Sequence, residues 1–378
     1  MSPQLEHPDS PLAIARGFAT QIAAAADGID RERALPSGLV DKLAAAGFFR
    51  LLTPASLGGG EVALPQFLET VLVLAQADAS TAWCIAQAAV FATHTAEMPE
   101  GLAKEIYNDP NAIIANGPVA RAHVQLVEGG YRLSGRWNFS SGSRHATWFA
   151  AVAPIEGDGD IHMFLLPRSD VNLIDVWQVN GLRGTGSFSF EVDGAFVQKS
   201  RVWDPRTPPR ESGPLFVIGQ VLLFAASFAS VALGAARAAL DDAIEFAGGN
   251  RARLEQQLRR DKPVVWRDVG RAEAILGSAR AFLNEAVADM WAGAQQSGSL
   301  TVDQRIRLRL ASAHATRLAA EATDIAYEIC GSSAVFVEAP VQRRFQDVHA
   351  ITQQIQSRLA HYDTAGQFYL GLEPRGLF

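Results

Sequence analysis

The chain has 378 residues, of which 48% are hydrophobic and 19% charged, a composition typical of a folded protein with a large core. Its formal net charge of −7 argues against a nucleic-acid-binding protein, which needs a concentrated basic surface. Two cysteines, Cys84 and Cys330, are too few for a disulfide framework and fit a reducing compartment. The N-terminus lacks a basic segment followed by an apolar stretch, so we expect no signal peptide and a cytoplasmic protein.

The first zone of the chain, residues 1–110, predicts a helical domain. Residues 11–26 and 36–49 carry apolar side chains at helical spacing, and each segment begins with a proline. Residues 65–76 and 80–95 predict two further helices.

The second zone, residues 111–212, changes to short apolar or alternating segments. Residues 131–139, 148–154, 162–167 and 187–192 predict strands, because Gly, Asp, Asn and Pro separate them. Strands at this spacing predict a small antiparallel β-barrel or a sandwich.

The third zone, residues 213–378, predicts four long helices. They cover residues 215–246, 264–295, 303–330 and 341–370, with an allowance for one break in the last. Long helices with short connections predict an antiparallel four-helix bundle. The apolar start of this zone contains Gly, Gln and Ser, so we expect a buried helix and not a membrane span.

Several familiar chemistries have no motif in this chain. It lacks a phosphate-binding P-loop, and its histidines and cysteines do not have the spacing of a metal site. Residues 181–186 read G-L-R-G-T-G, but a predicted strand follows them instead of the helix whose N-terminus would hold a pyrophosphate. A bound cofactor would therefore have to supply the chemistry.

Three segments resemble the acyl-CoA dehydrogenase superfamily. Residues 131–142 (Y-R-L-S-G-R-W-N-F-S-S-G) are similar to the family's strand that lies along the flavin. Residues 181–187 (G-L-R-G-T-G-S) are similar to its second β hairpin. Residues 329–334 (I-C-G-S-S-A) and 340–349 (P-V-Q-R-R-F-Q-D-V-H) are similar to the stretch before its last helix. The resemblance covers nearly the whole chain. It implies an α+β, mostly α fold with a helical domain, a small β-barrel, a C-terminal four-helix bundle, and bound FAD, with FMN as an alternative.

A flavin ring needs a flat aromatic wall and a few donors aimed at its polar edge. Trp137 and Phe139 are expected on one face of a strand, with Asn138 on the other. Backbone N–H groups and a hydroxyl at the end of this strand could reach the flavin, and a glycine there allows close approach. The alternative is that both rings belong to the β core. The predicted flavin contacts are Trp137, Asn138, Phe139, Ser140, Ser141, Gly142, Arg183, Thr185, Gly331, Ser332 and Asp347.

The region after Asp347 argues against a dehydrogenase. The common branch of the family places a glutamate base shortly after the matching aspartate, where this chain has Ile355. No Asp or Glu occurs between Asp347 and Asp363. An acyl-CoA dehydrogenase would therefore need a displaced base.

The chain more closely resembles the two-component flavin monooxygenases, a branch that includes hydroxylases and dibenzothiophene-monooxygenase-like proteins. The similar segments are residues 78–83 (D-A-S-T-A-W), 139–142 (F-S-S-G) and 346–350 (Q-D-V-H-A). The resemblance implies reduced flavin from a separate reductase, a small aromatic, nitrogen- or sulfur-containing substrate, and a homotetramer. It also implies that Ser141 lies beside the flavin and helps stabilise its oxygen adduct.

The candidate catalytic residues are Ser141, Gln354 and His349. Gln354 stands where that branch often has a histidine, and glutamine cannot act as a general base. His349 is expected on a different face of the helix, while His94 or His145 could assist. Two other functions stay open: an acyl-CoA dehydrogenase with a displaced base, and a non-catalytic flavin-binding or assembly protein.

Overall fold

The computed structural model describes residues 9–156, 160–252 and 255–378. The signal-peptide expectation rests largely on residues 1–8, which lie outside the described residues. Helices come first, two small sheets follow, and helices complete the chain. This order is the one predicted from the sequence, and the fold is mostly helical.

From residue 9 onward, five helices precede the sheets. They are α1 (Pro11–Glu32), α2 (Ser37–Ala45), α3 (Leu64–Ala77), α4 (Ala79–Ala92) and α5 (Glu100–Tyr107). Only Asp78 separates α3 from α4, and its carboxylate caps α4 by accepting the backbone N–H of Thr81 at 2.7 Å. Helix α4 is buried on nearly every side, so its residues are held rigidly in the interior.

Within the described residues, eight strands form two four-stranded sheets. They are β1 (Ile114–Gly117), β2 (Val119–Val127), β3 (Gly130–Ser140), β4 (Trp148–Pro154), β5 (Ile161–Pro167), β6 (Asn172–Ile174), β7 (Phe188–Gln198) and β8 (Val202–Trp203). One sheet has the order β1-β4-β5-β8 and the other β2-β3-β7-β6. The predicted closed barrel is wrong, because no strand pairing joins the two sheets within the described residues. One pair, β1 with β4, is parallel.

Six helices follow the sheets. They are α6 (Pro214–Ile218), α7 (Gln220–Gly249), α8 (Pro263–Ser297), α9 (Val302–Cys330), α10 (Pro340–Ile351) and α11 (Ala360–Tyr369). Gly219, with a φ of 77°, divides the first predicted helix. The last predicted helix is divided into α10 and α11 by a connection that includes a 3₁₀ turn at Ile355–Ser357. In the described part of the chain, three long helices and three shorter ones therefore replace the four predicted long helices.

Helix α7 is the centre of the C-terminal half. Its length and composition would allow it to cross a membrane, but most of it is buried inside the fold. A Cβ atom at Gly234 would lie 2.4 Å from the carbonyl oxygen of Leu72, so α7 and α3 pack backbone to backbone. These contacts fit a core helix.

Candidate active site

The end of strand β3 breaks the expected alternation of side chains at Phe139. Phe139 has a φ of 55°, and the register with β7 shifts between Trp137 and Ser140. A positive φ is costly for a bulky residue, and such strain is concentrated at functional sites. Trp137 is fully buried and Phe139 is 63% exposed, so the prediction that they share one face is wrong.

Trp137 belongs to the core between the two sheets. Its ring stacks on Phe190 with centroids 5.0 Å apart, and its Nε1 donates to the carbonyl oxygen of Val152 at 2.8 Å. The predicted flavin contact through Trp137 is therefore wrong, because the ring has no free surface. The Oδ1 atom of Asn138 accepts from Ser189 Oγ at 2.8 Å, which ties Asn138 to the sheet.

A chain of hydroxyl groups links strand β3 to the β6–β7 loop (residues 175–187). Trp83 Nε1 donates to Ser141 Oγ at 3.0 Å, and Ser141 Oγ lies 2.8 Å from Ser187 Oγ. Ser187 Oγ lies 2.7 Å from Thr185 Oγ1, which donates to the carbonyl oxygen of Leu182 at 2.8 Å. We call these four side chains the hydroxyl chain. It places the predicted residues Ser141 and Thr185 in one connected unit.

The turn after β3 satisfies most of its own polar groups. The N–H of Ser141 donates to the carbonyl of Phe139 at 3.0 Å, and the N–H of Gly142 donates to the carbonyl of Thr185 at 2.8 Å. These two backbone donors are therefore satisfied within the protein and are not free for a flavin. The sequence had suggested that they would be free. Ser140 Oγ is buried without a hydrogen-bond partner among the described residues. With His145 Nε2, it is one of two unsatisfied side-chain atoms at this turn.

Aromatic side chains of α4 and α7 pack directly behind Ser141. The rings of Trp83 and Phe228 are parallel within 2°, with centroids 3.7 Å apart. Phe224 continues the stack with its centroid 5.5 Å from Phe228. The indole that holds Ser141 is therefore itself held by a stacked, apolar wall.

Helix α10 meets the β6–β7 loop through Gly181 and Asp347. A Cβ atom at Gly181 would lie 2.1 Å from the carbonyl oxygen of Gln346, so only glycine fits. Asp347 Oδ1 accepts the backbone N–H of Leu182 at 2.6 Å. Burial, with the negative charge of Asp78 adding to it, raises the pKa of Asp347 to about 7. The Asp347 carboxyl therefore anchors the loop, and its contact with a flavin stays a prediction.

Three further predicted flavin contacts lie apart from the hydroxyl chain. Arg183 turns toward α1, with its Nε 3.2 Å from Asp30 Oδ2 and its Nη1 donating to the carbonyl of Val179 at 2.9 Å. Its guanidinium is thus engaged by protein groups. Gly331, with a φ of 60°, ends α9, and Ser332 beside it is exposed. Flavin contact by these two residues stays a prediction.

Gln354 caps the 3₁₀ turn between α10 and α11. Its Oε1 accepts the N–H of Gln356 at 2.7 Å, and its Nε2 donates to Ser357 Oγ at 2.8 Å. Both ends of the amide are satisfied within the turn, so the predicted orientation toward a substrate is corrected. The chain leaves the helix after Ile351, which is why helical spacing misplaced this side chain.

His349 lies on the outer side of α10. Its Nε2 is 2.8 Å from Asp324 Oδ1 on α9, and its ring centroid is 4.3 Å from that of Phe345. Asp347, two residues earlier, is buried in the opposite direction, as helical geometry requires. The structure therefore separates His349 from the loop that Asp347 holds, which contradicts a catalytic role for it.

The two auxiliary histidines differ in their surroundings. His94 Nδ1 lies 2.6 Å from Glu97 Oε2, so it is already paired. His145 Nε2 is buried without a partner among the described residues, and a Cβ atom at Gly142 would lie 2.9 Å from it. Burial lowers the pKa of His145 to about 4, so this ring is neutral near pH 7.

Trp83, Phe228 and Ser187 were not among the predicted site residues. Trp83 lies within the D-A-S-T-A-W segment, which carried part of the resemblance, so a signal for it was present. Ser187 follows Thr185 at the two-residue spacing of a strand face, a weaker signal. Phe228 lies in a continuously apolar helix, where nothing in the sequence distinguishes it from core.

Known proteins match this chain over almost its full length. Residues 226–358 match the family described as acyl-CoA dehydrogenase, C-terminal domain. The chain is 32% identical over 349 residues to the indole-3-acetate monooxygenase of Pseudomonas putida, covering 91% of this chain and 90% of that protein. It is 30% identical over 331 residues to HsaA, the oxygenase subunit of a flavin-dependent monooxygenase of Rhodococcus jostii, covering 84% and 87%. The crystal structure of the HsaA monooxygenase from M. tuberculosis superimposes with a TM-score of 0.88 at 28% identity, covering 98% of this chain and 99% of that one.

The chain belongs to the flavin-dependent monooxygenases of the acyl-CoA dehydrogenase superfamily. It is an enzyme, and its cofactor is a flavin. The turn after β3 fits a flavin. Phe139 presents an exposed ring with Trp177 edge-on at 6.0 Å, and Ser141 retains 9% of its surface beside it. Ser140 is fully buried, so its contact with a flavin stays a prediction.

Proposed function

We propose that this enzyme oxygenates a small aromatic substrate bound against the Trp83–Phe228 stack, with the flavin ring at Phe139 and Ser141. The indole of Trp83 carries the proposal, because it stacks on Phe228 and also donates to Ser141. The Trp83 side chain thus joins the proposed substrate wall to the Ser141 hydroxyl on the flavin side. The relative from Pseudomonas putida, named for indole-3-acetate, supports an aromatic substrate.

The residues of this chain would hold and shield the reacting groups. Phe139 and Trp177 would support the flavin ring, and Ser141 would face its polar edge. Bound reduced flavin supplies the chemistry by activating molecular oxygen for transfer to the substrate. The apolar stack behind Ser141 would exclude water and orient the substrate ring.

The candidate bases among the described residues favour an electron-rich substrate. Asp347 is committed to Leu182, Gln354 caps a turn, and burial lowers the pKa of His145 to about 4. A phenol that must lose its proton would therefore find only the weakly basic imidazole of His145 among these groups. An indole-like ring, a ring nitrogen or a sulfur atom is nucleophilic without deprotonation, so we propose a substrate of this kind.

We also propose a partner enzyme and an oligomeric state. A separate reductase would supply reduced FAD or FMN, as expected from relatives named as oxygenase subunits or components. Exposed apolar side chains in the C-terminal half support a homotetramer: Phe336, Val337, Leu359, Tyr369 and Leu370. We assign residues 1–110, 111–212 and 213–378 to three domains and the enzyme to the cytoplasm.

Isotope incorporation tests the proposed reaction. The enzyme would be supplied with reduced FAD by a generic flavin reductase, in ¹⁸O₂, with indole-3-acetate, a simple phenol or a thioether. We expect one ¹⁸O atom in the product of an indole or thioether, and little in the phenol. Hydrogen peroxide as the sole product with every substrate would contradict the proposal, and efficient phenol hydroxylation would contradict the argument about the candidate bases.

A further inference from the structure

The hydroxyl chain has a direction, which follows from counting its protons. An indole N–H only donates and a backbone carbonyl only accepts, whereas each hydroxyl has a single proton to give. The chain begins at the indole of Trp83 and ends at the carbonyl of Leu182. One end of the chain can therefore only donate and the other can only accept. The protons of the three hydroxyls between them must all point in the same direction along the chain.

The proton of each hydroxyl can be assigned from the Leu182 end. Thr185 must give its proton to the carbonyl, because two acceptor oxygens at 2.8 Å would repel each other. Thr185 can then only accept from Ser187, and Ser187, having given its proton, can only accept from Ser141. Ser141 therefore points its proton at Ser187 and accepts from Trp83.

The carbonyl of Leu182, on which the hydroxyl chain ends, is not free to rotate away and so allow another order of the protons. The N–H of Leu182 is held by Asp347 at 2.6 Å, and its carbonyl also accepts from Trp177 Nε1 at 3.0 Å. The backbone of Leu182 is thus held at its N–H by a side chain of α10 and at its carbonyl by a side chain of its own loop. The direction of the hydroxyl chain follows from this anchored carbonyl.

Of the three residues that contribute hydroxyls to the chain, Ser141 is the most exposed. It retains 9% of its surface, whereas Thr185 and Ser187 retain 2% and 3%. Its proton is committed to Ser187 and one lone pair to Trp83, which leaves one lone pair. Toward a ligand, Ser141 Oγ is therefore an acceptor without a proton to offer.

We infer that Thr185 and Ser187 are positioning residues that make Ser141 an acceptor and so select reduced over oxidised flavin. The central nitrogen N5 of a flavin carries an N–H when reduced and is a bare acceptor when oxidised. A reduced ring would thus meet a partner at Ser141, and an oxidised ring would meet a second lone pair. This inference rests on the proposed placement of the flavin at Ser141.

Two substitutions interrupt the hydroxyl chain at different points, and only one of them should change the direction of the Ser141 proton. In Ser187→Ala, the hydroxyl of Ser141 loses its acceptor and can turn its proton toward the flavin. In Trp83→Phe, Ser141 still donates to Ser187 and stays an acceptor. Ser143→Ala is the matched control, because Ser143 Oγ donates to the carbonyl of Gly186 in the same loop but is not in the chain.

The experiment is an anaerobic fluorescence titration of each full-length protein with reduced and with oxidised FAD. We expect the wild-type protein to bind reduced FAD more tightly. The ratio of the two dissociation constants should fall by about tenfold in Ser187→Ala, as expected for one exchanged hydrogen bond. Trp83→Phe and Ser143→Ala should retain the wild-type ratio. If Ser187→Ala folds poorly, the near-isosteric Thr185→Val can replace it. Ser187 then loses its acceptor and can donate to Ser141, so the proton of Ser141 can turn toward the flavin and the ratio of dissociation constants should fall equally.

The outcomes separate this inference from the proposed function. An unchanged ratio in folded Ser187→Ala or Thr185→Val would overturn the inference, as would an equal loss in Trp83→Phe. A wild-type protein that binds both redox states equally would also overturn it, with the flavin site intact. Failure of the wild-type protein to take up either flavin would overturn the proposed site and the inference together.

Discussion

The Oδ1 atom of Asp347 on α10 lies 2.6 Å from the backbone nitrogen of Leu182 in the β6–β7 loop. This contact joins two segments 165 residues apart and holds the N–H of Leu182, the residue on whose carbonyl the hydroxyl chain ends. The carboxyl is buried beside the charge of Asp78 and near those of Arg343 and Asp30. Its environment favours the protonated form, which links the stability of the loop to pH.

Asp347→Asn should reduce the pH dependence of unfolding. The pKa of Asp347 is about 7 in the folded protein and near 3.8 when unfolded, so the folded state binds the extra proton. This contribution to stability is complete below about pH 4 and is lost as the pH rises through about 7. Asparagine keeps an acceptor for Leu182 without the charge. Melting temperatures at about pH 5.5 and pH 8 should therefore differ less in the variant than in the wild-type protein.

Asp363→Asn is the control for this measurement, because Asp363 is an exposed carboxylate on α11. It should leave the pH dependence of the melting temperature unchanged. A wild-type pH profile retained in Asp347→Asn would show that the buried carboxyl does not change its protonation over this range.

Gly181→Ala should destabilise the protein because its Cβ would meet the backbone of Gln346 at 2.1 Å. Neither backbone segment can move easily, so we expect a loss of about 1–3 kcal/mol in the free energy of unfolding. Gly277→Ala, in the middle of α8 with open space around it, should instead gain up to about 1 kcal/mol. Denaturant titration compares the two. Equal effects would contradict close packing of the loop on α10.

The sequence was sufficient to predict the order of helices and strands. Strand β4 was predicted with its observed bounds, Trp148–Pro154, because its apolar residues are bounded by clear breaks. Helix α5 and strands β1, β2, β6 and β8 were missed. These elements are short or largely exposed, so their hydrophobic pattern is weak.

The site was less predictable because its geometry depends on contacts between distant segments. Phe139 adopts a positive φ that nothing in its own residue type predicts, and this bulge reversed the expected faces of β3. Asp347 matched a family motif, but only the fold shows that its partner is the peptide of Leu182. Helical spacing failed for Gln354 because α10 ends at Ile351.

His349→Ala should change turnover by less than about twofold. The side chain forms a half-exposed pair with Asp324 on the outer face of α10, and such pairs contribute about 0–1 kcal/mol to stability. Ser141→Ala should instead divert most of the oxygen consumed to hydrogen peroxide. Product formed per flavin oxidised distinguishes the two variants. A large loss of coupling in His349→Ala would restore the catalytic role predicted from the sequence.

Phe228→Leu should weaken binding of the aromatic substrate. Leucine keeps the apolar character of the site but loses the flat face that stacks on Trp83 at 3.7 Å. Aromatic pairs contribute about 0.5–1.5 kcal/mol beyond their buried area, so the dissociation constant should rise about threefold to tenfold. Affinity for reduced flavin should stay within about twofold of the wild-type value.

Phe246→Leu, on the same helix but beside Arg259, is the matched control and should leave substrate affinity unchanged. Equilibrium titration with the substrate identified by isotope incorporation makes the comparison. Equal weakening by both substitutions would point to general loosening of α7 instead of a substrate wall at Phe228.

The most direct test of the account is the affinity for reduced FAD of the double variant Phe139→Ala/Ser141→Ala, measured anaerobically. The matched control is Phe196→Ala/Ser143→Ala, which removes an exposed phenylalanine from the far end of the same sheet and a buried serine hydroxyl from the turn after β3. We predict a loss of at least about tenfold for the first and little change for the second. Equal affinities for the two double variants would contradict a flavin site at the end of β3.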